Sequence, residues 1–218
     1  MSGAGRTDKL GTVWHAYGHD GEPDPEFLRR MGPPENELPV AMPQNLLLAR
    51  TDDVATSLTR LQVYTIGLSF ELVVRIRPSA QEAPGRSLND IFWAHGPGSA
   101  RFLLGVEFAY GRRASSMPGA GTDDRIVFHA GGGSGGEASI EQSWWLSPVP
   151  PAGPLRLVLR CPDIGIAETV VELDGTAISR AAEDVVTLWP WEPPRDQGPQ
   201  PPPPPPDLPD DSWFAGSS

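Results

Sequence analysis

Several residues are of types and spacings that can do chemistry. His15 and His19 lie four apart, the spacing that lets two imidazoles share a helix face and grip a metal ion. Gly18 and Gly21 oppose a helix there, and a zinc site needs three or four converging ligands, so both read as loop histidines. Asp52-Asp53 and Asp123-Asp124 lack the alternating oxygen ligands of a calcium loop and read as turn or cap residues. Cys161 is the single cysteine, and Pro162 follows it. A nucleophilic thiol needs a neighbouring base, and no motif brings His95 or His129 beside it, so Cys161 reads as a small buried hydrophobe. Ser115, Ser116 and Ser143 sit in no nucleophile-elbow motif. The glycine-rich run 131–136 lacks the Gly-Lys-Ser/Thr ending of a phosphate loop and reads as a flexible connector. No catalytic residue, metal ligand or cofactor-binding residue is singled out, and no cofactor is expected.

Aromatic residues are better candidates for contact. Trp144 and Trp145 are adjacent, so on a strand they face opposite sides. Trp144 shares its parity with Ile140 and Leu146 and is the core candidate. Trp145 then lies on the other face, where an exposed indole can stack on a sugar ring or anchor a partner, unless the flanking segments cover it. Trp93, in the long loop 78–101, carries the same two readings. At the C-terminus, six prolines at 201–206 form a polyproline II spacer, extended at about 3.1 Å per residue. An acidic peptide with Leu208, Trp213 and Phe214 follows, which reads as a set of anchors for a protein partner.

The elements that must position these residues are mostly strands. Leu68, Phe70, Leu72, Val74 and Ile76 alternate with Ser69, Glu71, Val73, Arg75 and Arg77, which puts one apolar face inward and one charged face outward. Phe102, Leu104, Val106 and Phe108 repeat that pattern, as do Leu155, Leu157 and Leu159 between Arg156 and Arg160. The stretch 55–64 alternates imperfectly, and Gly67 after it supports a tight reversal. Shorter runs occur at 45–50, 126–129, 140–146 and 185–189, with Val171 and Leu173 at strand spacing. Asp174-Gly175 reads as a turn, and 176–184 as a short helix rich in Ala. The outward charges Glu71, Arg75, Glu107, Arg156, Arg160 and Glu172 mix both signs, as on a solvated face. About eight short strands separated by turn signals, with one short helix near the C-terminus, predict an all-β fold, an antiparallel β-sandwich.

Composition supplies the boundaries. The 218 residues include 26 prolines and 24 glycines, and the prolines crowd 23–43, 148–154 and 190–209. Such segments bury too little apolar surface to offset their ordering. The prediction is therefore an extended, partly docked N-terminal arm over 1–44, a sandwich over 45–190 and a disordered, proline-rich acidic tail over 191–218. Within the arm, Asp24 can cap a short helix that begins at Pro25. The net charge is −11, and residues 1–44 and 190–218 hold 12 acidic against 5 basic residues. Nucleic-acid binding through phosphates needs a basic face, and an acidic surface is repelled by anionic lipid, so neither nucleic acid nor membrane is an expected partner. The first residues lack an apolar signal region, and no run of about 18 apolar residues occurs. The expected location is the cytoplasm.

Residues 47–55 (Leu-Leu-Ala-Arg-Thr-Asp-Asp-Val-Ala), leading into Leu61-Gln62-Val63-Tyr64 and Leu68-Ser69-Phe70-Glu71-Leu72, resemble uncharacterised proteins of high-GC Gram-positive bacteria. Residues 105–113 (Gly-Val-Glu-Phe-Ala-Tyr-Gly-Arg-Arg) and 170–175 (Val-Val-Glu-Leu-Asp-Gly) share the resemblance, which spans 45–190 and brings no known activity. The expectation is a non-enzymatic interaction or accessory protein with binding termini. The alternative is a carbohydrate-binding sandwich that uses Trp93 or Trp145. A hydrolase with an unidentified carboxylate pair or Cys–His pair stands third.

Overall fold

The structure, a computed structural model, describes residues 24–80, 88–92, 102–117 and 125–193. In chain order these contain α1 (Pro25–Arg30), β1 (Glu37–Leu38), β2 (Val40–Ala41), β3 (Leu46–Arg50), β4 (Val54–Tyr64), β5 (Gly67–Ile76), α2 (Leu88–Phe92), β6 (Leu103–Glu107) and β7 (Arg113–Ser115). Then come β8 (Val127–Gly135), β9 (Ser139–Ser147), β10 (Pro154–Cys161), β11 (Ile166–Asp174), α3 (Gly175–Ala181) and β12 (Val186–Thr187). Eight of the strands are five residues or longer.

The strands form two principal antiparallel sheets. One runs β2-β4-β5-β9-β8, with β3 also paired to β4; the other runs β11-β10-β6-β7. Their inner faces share a core. Leu58, Leu72, Val74, Ile140 and Leu146 come from the first sheet, and Leu104, Val106, Leu155, Leu157 and Leu159 from the second. Each fully buried aliphatic side chain contributes about 2 kcal/mol. The chain is thus an antiparallel β-sandwich, as its alternation predicts.

The imperfect alternation in β4 has a local cause. Register between β4 and β5 slips between Thr59 and Gln62, and Arg60 adopts a left-handed φ of 51°. This bulge inserts a residue, so Leu58 and Leu61 both face the core although they are three apart. The β4–β5 hairpin turns through Thr65 and Ile66, while Gly67 opens β5. Gly67 is a glycine for another reason: a Cβ there would lie 2.4 Å from the Leu146 carbonyl oxygen and 2.7 Å from the Trp145 ring.

One expectation is corrected. The glycine run is not a connector, because residues 131–135 lie within β8 and pair with β9 across a bulge between Ala130 and Gly133. Ser143 donates to the Gly132 carbonyl at 2.7 Å, and a Cβ on Gly131 would sit 2.5 Å from that hydroxyl oxygen. Asp174 caps α3, accepting from the Ala177 N–H at 3.0 Å. Residues 24–44 are built into the fold: β2 pairs with β4, and β1 pairs with β12. Helix α1 starts as read, with Asp24 accepting from the Glu26 N–H at 3.0 Å and Pro25 in the first turn.

The arm is held by one buried carboxylate. Glu37 accepts from the Thr65 N–H at 2.9 Å and from the Thr65 hydroxyl, and Arg29 stands 3.6 Å away. These contacts lay α1 across the outer face of the larger sheet, over Trp145.

Candidate functional site

Among the described residues nothing packs over the outer face of the smaller sheet, and alternation decides what that face carries. Leu104, Val106, Ala114, Leu155, Leu157, Leu159 and Leu173 point inward. Their sequence neighbours point out, and the register aligns those into rows across the four strands. In one row Arg113 faces Glu107, Glu107 faces Arg156, and Arg156 faces Glu172. The charges alternate, and contacts run the length of the row. Arg113 pairs with Glu107, Arg156 Nη1 lies 3.0 Å from Glu107 Oε1, and Arg156 Nε lies 2.8 Å from Glu172 Oε1. Hydrogen bonds donated to Glu172 first and Glu107 second push the Arg156 pKa above its ordinary value, so this guanidinium stays charged.

The next row is Ser115, Gly105, Val158 and Val170. Here the side chains are small or apolar. Beside the tall charged row they leave a trough of about 630 Å³, extended by Leu103 and Met117 and closed on its far side by Arg160 and Glu168. Met117 is 50% exposed and Val170 54% exposed. Apolar surface therefore lies open between two charged margins. The backbone does not require glycine at 105. Its φ is not left-handed, and a Cβ would find ordinary contacts, 3.5 Å from the Ala114 carbonyl oxygen and 3.6 Å from Ser115 Cβ. Glycine inside a strand weakens it and often marks a close approach by another molecule.

The residues singled out by sequence fall elsewhere. Trp145 is corrected as a stacking platform: it is 2% exposed. Its Nε1 donates to the Arg30 carbonyl at 2.7 Å, and its ring meets Tyr64 edge-on at 5.7 Å between centroids. The cause is α1, which the arm lays over it, so neither ring face is open to a sugar. Trp144 lies in the core against Phe128. Trp93, Leu208, Trp213 and Phe214 lie outside the described residues, as do His15, His19, His95, Asp123 and Asp124.

Cys161 is fully buried and faces inward, whereas His129 pairs opposite Trp145 on the outward side and contacts the Met31 carbonyl through Nε2 at 2.8 Å. The Cys161–His129 pair therefore does not converge. Asp52 and Asp53 occupy the β3–β4 turn, where the Thr51 hydroxyl oxygen accepts from the Asp53 and Val54 N–H groups at 3.3 and 3.0 Å. Among the described residues, no group of three or more His, Cys, Asp or Glu side chains could hold a metal ion, and no helix is long and apolar enough to cross a membrane. Comparison with protein-family models, curated proteins and solved structures finds no match.

The trough was not singled out from sequence. Leu103, Val158 and Val170 do stand at outward parity, where a solvated strand usually carries polar residues. That is a signal, but only the strand order makes them neighbours.

Proposed function

We propose that this protein is a non-enzymatic interaction or accessory module that works in the cytoplasm. Its sandwich would present the trough to a protein partner, and its C-terminal segment would add Leu208, Trp213 and Phe214 as further anchors. The observation that carries this reading is Gly105. A strand-interior glycine that the backbone does not need opens an apolar trough between an alternating charge row and the Arg160–Glu168 margin. One aliphatic side chain of a partner fits such a floor, and the charged margins can set its orientation. We also propose that the chain groups with the uncharacterised sandwich proteins of high-GC Gram-positive bacteria that it resembles. Burial of Trp145 withdraws one of the two residues on which the carbohydrate alternative stood.

The test is recovery of partners from the native host with the full chain as bait, beside a Gly105→Val chain and a chain with Leu208, Trp213 and Phe214 changed to Ser. The reading expects one discrete partner, weakened by the first change and by the second. A partner recovered equally by all three baits, or none by the unaltered chain, contradicts it.

A further inference from the structure

A second concavity, of about 550 Å³, lies where the α1–β1 connection meets the end of the described chain. Pro33, Pro34, Trp189 and Trp191 line it, with Arg29 and Asn36. Trp189 is 57% exposed, a large area of indole to leave in water. The wall behind it is fixed. The Asn36 side-chain amide donates to the Trp189 carbonyl at 2.8 Å, and the Leu188 N–H donates to the Asn36 carbonyl at 2.8 Å. Two polar atoms in this wall are buried and have no hydrogen-bond partner, Asn36 Oδ1 and Arg29 Nε. Buried polar atoms are rarely left so, and each calls for an explanation.

We infer that this groove is a polyproline-binding site and that its occupant is the chain's own proline run, residues 201–206. The chemistry of the run matches the groove. Proline has no N–H, and a polyproline II segment makes no internal hydrogen bonds, so its carbonyls are open acceptors. Arg29, whose side chain is partly exposed, lines the groove with guanidinium donors, and indole faces and proline rings pack against pyrrolidine rings, the usual mode of polyproline recognition.

The path of the chain favours this occupant. The described chain ends at Pro193, two residues past Trp191, so the tail leaves from the groove itself. Residues 194–200 then connect to the run. At about 3.3 Å per residue they reach about 23 Å, more than the roughly 19 Å that six prolines span. Gly198 within them allows the chain to reverse. A connection this short gives an effective concentration in the millimolar range, so a groove with only millimolar affinity for a free peptide is about half filled from within. The inference stands independently of the trough.

The experiment uses the full chain and the indole N–H resonances of its tryptophans, with Trp189 and Trp191 assigned from Trp189→Phe and Trp191→Phe. The test variant replaces Pro202, Pro203, Pro204 and Pro205 together by Ser or Gly, a change outside the packed core. The Trp189 and Trp191 resonances are expected to move while those of Trp144 and Trp145 stay, equally in dilute and concentrated samples. A synthetic peptide of residues 199–208, added to the variant at millimolar concentration, is expected to return them to their original positions. Unmoved resonances, or failure of the peptide to restore them, would overturn the assignment. Movement that grows with protein concentration would show instead that a second copy supplies the run, and would also overturn it.

Discussion

Gly105→Val should make the protein more stable and less able to bind. A Cβ at 105 would lie 3.5 Å from the Ala114 carbonyl oxygen, 3.6 Å from Ser115 Cβ and 3.8 Å from the Val158 carbonyl oxygen, which are ordinary contacts. The left-handed glycines include Gly111, Gly153 and Gly165 but not Gly105, so no backbone strain follows. Removing the excess freedom of a glycine from the unfolded chain stabilises by about 0.5–1 kcal/mol. A β-branched side chain on a strand contributes within a range of about 1 kcal/mol. The expected sum is about 1 kcal/mol, or a rise in Tm of about 2–4 °C for a chain of this size. The isopropyl group would meanwhile fill the floor of the trough. Excluding one well-seated apolar anchor weakens an interface by about 2 kcal/mol, roughly thirtyfold in Kd. Calorimetry of the purified variant and partner recovery from the host read the two effects separately. Loss of stability would mean that the fold needs this glycine, and would refute the argument. So would increased stability with undiminished binding.

Three further outcomes follow from the packing. Leu157→Ala, at a fully buried inward position, should cost about 2–5 kcal/mol in urea unfolding, whereas its outward neighbour Val158→Ala should cost under about 1 kcal/mol; equal costs would contradict the assigned faces. Glu37→Ala should cost about 2 kcal/mol, because it removes the acceptor of two Thr65 hydrogen bonds, and should shift tryptophan emission to longer wavelength as the arm loosens over Trp145; unchanged emission would contradict that coupling. Burial, with a smaller push from Glu37, raises the Tyr64 pKa above 10.0, although its hydrogen bond with Ser69 opposes the rise. The unfolded chain therefore loses this proton first, and the stability linked to it is complete below pH 10.0 and lost as pH climbs through the raised value. Tyr64→Phe should flatten that alkaline decline, and a decline of unchanged slope would count against it.

The sandwich was legible because its central strands keep strict period two. Leu68, Phe70, Leu72, Val74 and Ile76 needed no tertiary knowledge to be assigned a face. Features that depend on what lies alongside a strand were not legible. The bulge at Arg60 interrupts the period of β4 without a glycine to announce it. The glycines of β8 look like a linker because their pairing with β9 uses backbone alone, and the reason for Gly131 is the Ser143 hydroxyl on the neighbouring strand. Trp145 was placed on the correct side of its strand, but its burial depends on α1, more than a hundred residues earlier in the chain. The trough is the clearest case. Gly105, Ser115, Val158 and Val170 come from four strands, and nothing in the sequence shows them to be neighbours. They form a site only because β10 lies between β6 and β11.

The central claim is that the outer face of the smaller sheet meets a protein partner, and site-specific photo-cross-linking tests it most directly. A photoreactive residue would be placed at Val158, on the trough floor, and separately at Arg75, exposed on the larger sheet, in the full chain within its native host. The account predicts one discrete adduct from position 158 and none of that mass from position 75, with the adduct lost in the Gly105→Val background. No adduct from position 158, or the same adduct from both positions, would contradict it.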